Sequence, residues 1–227
     1  MSYCTANGRP VVRGTIARPR LGAWQAELLV NARADEADSF TGAIQIDLAG
    51  TTFQGTAYRS GPVRDAISVR IVGGKNGLGR TLTPKAYQNV PARIPIQDLC
   101  TEARETLSPR SDAAALGKLL PKWIRMEQVA GFALASLLLA AGSPTWRILE
   151  DGTLWVGTDT WEPVALQPYD LTHVEPSVGR IEIATDTPGA LAPGLTFDGR
   201  RISYVEHRLE PDRIRHVLWP EDVARVG

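Results

Sequence analysis

The sequence has few of the residues that metal sites, disulfide frameworks and acid–base catalysis depend on. Its 227 residues include two cysteines, Cys4 and Cys100, and three histidines. Cys4 lies near the N-terminus and Cys100 lies on the apolar face of a predicted helix. Because the two cysteines lie in such different settings, the pattern indicates neither a disulfide framework nor a zinc cluster.

An excess of charge of either sign is also missing. Lys plus Arg equals Asp plus Glu at 25 each, which leaves a formal net charge of zero. A balanced surface has no overall attraction to nucleic acid or to an anionic membrane, so we expect no specific nucleic-acid binding. The first ten residues lack a basic segment followed by an apolar one. We therefore expect no signal peptide and folding in the cytoplasm.

The sequence lacks an apolar run long enough to cross a bilayer. Its longest run, VAGFALASLLLAA, covers the thirteen residues 129–141, whereas a membrane span needs about 20. We expect this segment to be a buried core helix and expect no membrane insertion.

Familiar catalytic motifs are absent as well. The chain has no G-x-S-x-G, no H-E-x-x-H and no Cys–His pairing. Glu102 and Glu105 fall on the helix face opposite its apolar stripe, a position typical of solvated side chains. We predict a protein that is not an enzyme, with no catalytic residue, no cofactor and no metal. Because two glycosidase carboxylates need no fixed spacing, a cell-wall hydrolase stays open as an alternative.

A glycine-rich segment, GGKNGLGRTL at 73–82, follows an apolar run and differs by one residue from a phosphate-binding P-loop. A P-loop needs a helix directly after its glycines and a Lys that reaches the phosphates. Here Arg80 replaces that Lys, and three prolines within residues 84–95 prevent the helix. The sequence thus predicts no nucleotide site.

We interpret the same segment as a flexible basic loop that leaves a strand. Its glycines provide conformational freedom and its cations keep it solvated. Lys75, Asn76 and Arg80 are the candidate residues for contact with a partner.

Alternating apolar and polar residues dominate the two ends of the chain. Five short strands are predicted in the first part, at 13–18, 24–30, 44–48, 51–59 and 67–71. Their spacing favours a small antiparallel barrel or sandwich. Strands return at 145–158, 179–185 and 200–221. A turn at Pro211-Asp212 would place Tyr204 opposite Trp219 and His207 opposite His216.

Between these parts the apolar residues recur with the period of a helix. We predict one helix from Pro95 to about Leu107, a second that is capped by Ser111 and ends at Pro121, and a third over 127–141 that Gly142 and Pro144 stop. Together they predict a compact module of three helices.

Histidine and tryptophan offer two further hypotheses. His207 and His216 could form part of a metal site, but Glu206 points to the other face of its strand, so we favour ordinary strand histidines. Trp24, Trp123 and Trp155 are predicted in the core. Trp161 and Trp219, at strand edges, keep a carbohydrate- or peptidoglycan-binding module open.

Three stretches carry a resemblance to a known family. They are TLTPKAYQNVPARIPIQDLCTEARETLS at 81–108, WRILEDGTLWVG at 146–157 and GLTFDGRRISYVEHRLEPDRIRHVLW at 194–219. In this order they resemble the baseplate or tail hub proteins of long-tailed bacteriophages. The likeness covers nearly the whole chain and includes no catalytic signature.

The resemblance implies an α+β, mostly β fold with two small antiparallel tube-type β-barrel domains flanking a short helical module. The first barrel domain would cover residues 1–80, the helical connector 81–144 and the second β-rich domain 145–227. It implies a homotrimeric hub that adapts the sixfold tail tube to a threefold spike or fibre complex. A tube or distal tail protein would lie above it and a spike or baseplate protein below, in a virion assembled in the host cytoplasm.

Overall fold

The computed structural model describes residues 3–142, 145–166, 168–211 and 213–221. In chain order, its strands are β1 (Cys4–Ala6), β2 (Arg9–Pro19), β3 (Gln25–Val30), β4 (Gly42–Leu48), β5 (Thr51–Val63), β6 (Ala66–Gly73), β7 (Thr81–Leu82), β8 (Lys85–Pro91), β9 (Leu119–Arg125), β10 (Gln128–Val129), β11 (Thr145–Ile148), β12 (Leu154–Gly157), β13 (Asp170–Glu175), β14 (Arg180–Ala184), β15 (Thr196–Phe197), β16 (Arg200–Leu209) and β17 (Ile214–Pro220). The α-helices are α1 (Arg93–Ala103), α2 (Ala113–Gly117) and α3 (Ala130–Ala140). The predicted α+β, mostly β class is confirmed.

A closed barrel of six strands forms the first part of the chain. Its neighbours run in the order β1, β4, β5, β6, β3 and β2, and β2 returns to pair with β1. Ile44, Ile46 and Leu48 alternate inward on β4 and are buried. All five predicted strands of this region are confirmed. The sequence pattern missed β1, because three residues are too few to show alternation.

Strand β2 belongs to the barrel and to a second group of strands at once. Its first residues, Arg9 and Pro10, pair with β1. Gly14 to Pro19 pair with β16 on one side, while the strand also pairs with β3 on the other. A Cβ at Gly14 would lie 2.3 Å from the Glu27 carbonyl oxygen, so a side chain there would prevent this close approach.

The C-terminal strands extend the barrel sheet outward from β2 in the order β16, β17, β14 and β13. The predicted register is confirmed, since Tyr204 pairs with Trp219 and His207 with His216. A small separate core lies under these strands and includes Ile183. The division at residues 80 and 144 stays a prediction, although the sheet itself joins the first and last segments.

The three predicted helices of the middle module are present as α1, α2 and α3, but the module also contains strands that the sequence pattern did not show. Residues 119–125 form β9, which pairs with β8 in a two-stranded sheet. Trp123 stacks on Tyr87 there, with ring centroids 5.6 Å apart, and both are buried. This strand pairing accounts for the extended conformation of residues 119–125 between α2 and α3.

The helix ends also differ from the prediction. Helix α1 ends at Ala103, because Arg104 takes the left-handed conformation, so Leu107 lies outside it. Helix α2 is capped by Asp112, whose carboxylate accepts a hydrogen bond from the Ala114 N–H; Ser111 instead accepts one from Val156 N–H.

Helix α3 begins at Ala130, because residues 128–129 pair with β7. Pro144, its predicted stop, lies outside the described residues. The expectation of a core helix holds for one face only, since Phe132 and Leu139 are exposed on the other. None of the helices in the described part of the chain combines the length and the apolar character that a membrane crossing requires.

A buried polar cluster lies where the barrel meets the C-terminal strands. Arg18, on β2, donates hydrogen bonds to the Leu191 carbonyl at 2.7 Å and to Glu150 at 3.3 Å. Its guanidinium group lies 5.3 Å from the ring centroid of Phe53. Burial lowers the pKa of Arg18 to about 10, although the Glu150 carboxylate acts in the opposite direction. The cluster thus connects β2 and β5 with the segments around Glu150 and Leu191, which are distant from them in sequence.

His207 and His216 complete this region from β16 and β17. Both are fully buried, and their Nδ1 atoms are 2.9 Å apart, so one ring donates a hydrogen bond to the other. Burial lowers both pKa values, that of His216 to about 4. For His207, the His216 ring and the Arg18 cation lower the pKa further.

We expect the stability to fall as the pH falls below about 6.5. The unfolded chain binds protons on these histidines near that pH, whereas folded His216 resists protonation until about pH 4. Each histidine therefore reduces the free energy of unfolding by up to about 1.4 kcal/mol per pH unit within its window. Urea unfolding between pH 7.5 and 5.0 measures how steeply the free energy of unfolding depends on pH.

The change His216→Gln should reduce this slope. His173→Gln, at an exposed position, is the control and should leave the slope unchanged. Equal slopes in both variants and the parent protein would show that the buried histidines do not cause the pH dependence.

Candidate partner-contact site

A buried carboxylate anchors the glycine-rich loop that follows β6. Glu105 follows α1 and accepts hydrogen bonds from the backbone N–H groups of Gly77, at 2.7 Å, and Lys75, at 3.1 Å. On the opposite side, the Thr56 hydroxyl donates to the Gly74 carbonyl at 2.8 Å. These contacts attach the loop to both the helical module and the barrel.

This geometry explains why the P-loop spelling does not make a phosphate site. Successive backbone N–H groups in such a loop form a concave site that attracts an anion. In this protein the Glu105 carboxylate occupies that position. The helix that a P-loop needs is absent, because β7 and β8 follow the loop. The prediction against a nucleotide site therefore has a direct structural reason.

Two glycines of this loop are required because other atoms lie too close for a side chain, and not only because glycine allows more backbone conformations. A Cβ at Gly77 would lie 1.6 Å from the Ala103 carbonyl oxygen, and one at Gly74 would lie 2.7 Å from a Glu105 oxygen. The interpretation of this loop as merely flexible misses these two constraints. Asn76 takes the left-handed conformation, with φ of 58°, and starts the short 3₁₀ turn Gly77–Gly79.

The three predicted contact residues lie together on the outside of this loop. Lys75, Asn76 and Arg80 are all exposed. The Lys75 ammonium donates a hydrogen bond to the Thr106 hydroxyl at 3.2 Å. The Arg80 carbonyl accepts one from the Ala130 N–H at 2.8 Å, which joins the loop to the start of α3. Their role in partner contact stays a prediction.

The prediction that Glu102 and Glu105 serve solvation is wrong. Glu105 is buried against the loop, and both oxygens of Glu102 accept hydrogen bonds from Arg125, at 2.8 and 2.7 Å. The Arg125 side chain is fully buried and also donates to the Thr83 carbonyl. A buried cation needs such a partner. Helical spacing alone could not reveal it, because Arg125 comes from β9.

A second exposed feature is the outer edge of β13. Among the described residues this strand pairs with β14 alone, and it forms the free end of the large sheet. Residues 170–174 are exposed on both faces, including Leu171 and Val174. An unpaired edge with apolar side chains is suited to pairing with another chain.

The tryptophans divide between the core and the surface. Trp24 and Trp123 are buried as predicted. Trp155 is only half-buried, and the Arg147 guanidinium group lies 4.2 Å from its ring centroid, so its core placement is wrong. At Trp161, the guanidinium groups of Arg20 and Arg201 lie 4.9 and 5.0 Å from the ring centroid.

The side chains of the described residues form no group of three His, Cys, Asp or Glu that could hold a metal ion. His207 and His216 do face each other, as their register predicts, but they hydrogen-bond to each other. Cys4 and Cys100 form no disulfide and are both buried, in β1 and α1. Burial raises the pKa of each thiol to about 12, which disfavours the reactive thiolate.

Comparison with solved structures places this architecture among tail proteins. The tail protein from Neisseria meningitidis MC58 superposes with a TM-score of 0.66 and 12% sequence identity, over 97% of this chain and 96% of that one. The 43 kDa tail protein of prophage MuSo2 from Shewanella oneidensis has a TM-score of 0.63 and 10% identity, over 95% and 94% of the two chains. The chain shares its fold with these two tail proteins.

A third similar structure comes from a secretion machine. It is an Escherichia coli component of the type VI secretion system, described as structurally similar to the T4 bacteriophage tail proteins gp27 and gp5. Its TM-score is 0.59 and its identity 14%, over 96% of this chain and 77% of that one. No protein-family model and no curated protein sequence matches the chain. The fold resemblance to phage tail proteins that the sequence suggested is thus confirmed at the level of structure.

We expect Gly77→Ala to destabilise the protein by about 2 to 3 kcal/mol, because its methyl group would overlap the Ala103 carbonyl and displace the loop from Glu105. Gly79→Ala is the matched control, since nothing lies within 4 Å of a Cβ at that glycine. Urea unfolding midpoints of the two variants and the parent protein measure the difference. Equal midpoints for both variants would show that the loop is not held as described.

Proposed function

We propose that the protein is a structural component of a bacteriophage tail baseplate. In this role it is a trimeric hub that adapts the sixfold tail tube to a threefold spike or fibre complex. The observation that carries the proposal is the closed six-stranded barrel that continues through β2 into further strands, within a fold shared with tail proteins over 95–97% of the chain. The virion tail is its proposed location, after assembly in the host cytoplasm.

Symmetry gives this arrangement a physical purpose. A threefold ring whose protomers each contribute two strand-rich units presents six such units to its neighbour. The N-terminal barrel is one unit, and the strands β13, β14, β16 and β17 with their own small core support the second. Such a ring would match a sixfold tube above and a threefold spike or baseplate protein below.

The proposed contacts use surfaces that the fold leaves accessible. The edge of β13 is available for pairing within the ring. The loop with Lys75, Asn76 and Arg80 is exposed yet anchored by Glu105, so its cations have a defined position for an adjoining tail protein. Binding through an anchored loop loses less conformational entropy than binding through a mobile loop.

The alternatives have less support. A sugar ring at Trp161 would have to displace the guanidinium group of Arg20 or Arg201. A hydrolase needs one carboxyl group with a raised pKa to act as the acid. In the described part of the chain, the carboxyl groups of Glu36, Asp98, Glu150 and Asp151 have pKa values below their usual range, so none of these four is suited to act as that acid. We therefore propose a structural role without catalysis, cofactor or metal.

Native mass spectrometry over a concentration series tests the proposed assembly, with and without the neighbouring tail proteins from the same source. We expect a trimer, either alone or when a tail protein is added, because a hub must present threefold symmetry. A monomer under every condition would overturn the hub.

Charge reversal tests the contact loop separately. We expect the double change Lys75→Glu and Arg80→Glu to weaken binding to an adjoining tail protein about tenfold or more, because two cations at the contact are replaced by anions. Lys118→Glu, at an exposed position of the helical module, is the control and should change binding little. Binding measured by biolayer interferometry that is equal for all three proteins would remove the loop from the contact.

A further inference from the structure

The outer face of the large sheet carries two arginines without a counter-charge. Arg13 on β2 and Arg59 on β5 are exposed, and among the described residues neither side chain forms an ion pair. On the strands between them, the Glu27 carboxylate is already neutralised by Arg70 at 3.0 Å. This face therefore has two cations available to an anionic ligand.

A β-bulge turns each of these arginines outward. Residues i and i+2 of a regular strand share a face. Val11 and Ala57 pack against the core, so Arg13 and Arg59, two positions later, would point into the barrel if their strands were regular. The register shifts between Val11 and Arg13 and again between Ala57 and Arg59, which leaves Arg59 opposite the exposed Arg70. Bulges commonly redirect side chains at functional sites.

Like charges also lie directly opposite each other on this face. Arg59 pairs in register with Arg70, and Arg208 on β16 pairs with Arg215 on β17. Such cross-strand pairs destabilise a sheet. Glu206 offsets the second pair, since its carboxylate lies 2.7 Å from Arg208, whereas Arg59 has no such partner in the described part of the chain. A local arrangement that costs stability is typical of a functional site.

These cations line two adjoining clefts. The larger, of about 700 Å³, lies between the β5–β6 hairpin and the turn that follows β16, and the smaller, of about 360 Å³, continues it along β5. Arg13 lines the larger cleft, Arg59 lines the smaller, and Val63 lines both. The carboxylate of Glu210 also lines the larger cleft, but it is already paired with Arg213. The unbalanced charge of the clefts is thus positive.

The lining indicates the chemistry of the ligand. Guanidinium groups without a counter-charge bind carboxylates through charge-assisted hydrogen bonds. Leu29, Val63 and Leu209 add apolar contacts beside the cations. A nucleic acid is less suited, because its regularly spaced phosphates would also meet the carboxylates of Glu27 and Glu210. A peptide with both acidic and apolar side chains matches both kinds of lining.

We propose that these clefts bind an extended acidic peptide segment of another protein, with Arg13 and Arg59 each holding one carboxylate. Strands β3 and β6 lie between β2 and β5. Because neighbouring strands are about 4.8 Å apart, the two arginines are roughly 14 Å apart along the sheet. An extended chain rises about 3.3 Å per residue, so the two acidic residues should be about four residues apart. A single chain contains both clefts, so this site does not depend on the proposed hub assembly.

Fluorescence anisotropy with synthetic peptides tests the site. The probe is a fluorescein-labelled peptide in which two glutamates are about four residues apart with leucine between them. A matched peptide has glutamine in place of both glutamates. We expect the acidic peptide to bind about tenfold more tightly or better, because only a carboxylate forms charge-assisted hydrogen bonds with the arginines. Equal binding of the two peptides, or no binding of either, would overturn the proposal.

Substitution of the two arginines locates the binding site. We expect Arg13→Gln and Arg59→Gln each to weaken binding of the acidic peptide about tenfold, and the double variant about 100-fold. Arg93→Gln, at an exposed arginine of α1, is the matched control and should leave binding unchanged. Urea unfolding midpoints should stay near that of the parent protein, because both substituted arginines are exposed. Undiminished binding by the folded double variant would show that the peptide does not occupy these clefts.

A single-stranded DNA oligonucleotide distinguishes the two sources of negative charge. We expect it to bind more weakly than the acidic peptide at about 0.15 M salt. Tighter binding of the oligonucleotide, lost in the double variant, would assign the clefts to nucleic acid and overturn the peptide site. These measurements are made on the single chain, so a monomer in native mass spectrometry would contradict the hub and leave the peptide site standing.

Discussion

The two-sided pairing of β2 is the constraint on which the rest of the structure depends. One end of this strand closes the six-stranded barrel against β1, and the other end pairs with β16 and so begins the C-terminal strands. Gly14 makes the branch possible, because a side chain there would overlap the backbone of β3. Without this strand the barrel would be open and the two cores would have no shared sheet.

Buried polar groups secure the junctions that this branching creates. Arg18 and the His207–His216 pair occupy the boundary between the barrel and the outer strands, and Arg125 with Glu102 fastens β9 to α1. Each of these groups would be costly if left without a partner, so each selects one relative placement of its segments. Glu105 acts in the same way on the glycine-rich loop, whose N–H groups it satisfies.

Much of the fold follows from local pattern. Alternating residues predict the barrel strands β2 to β6, and Pro211 with the flanking alternation predicts the register that places His207 opposite His216. The missed elements are short or depend on distant partners. Strand β9 contains Pro121 and follows a helix-like segment, so only its pairing with β8 reveals it. Of the candidate site, the exposed loop residues were predictable, whereas its anchoring by Glu105 and the exposed face of α3 were not.

The sequence by itself determined the strand-rich character, the balance of charge, the uncharged helix α3 and the likeness to tail proteins, because each is a property of local composition or of spacing along the chain. Only the tertiary structure decided that β2 serves two sets of strands, that Glu105 fills the anion site of the loop, and that Phe132 and Leu139 point away from the core. These features depend on which segments meet in space. Periodicity tells which face of an element is apolar, but it does not tell what lies opposite that face.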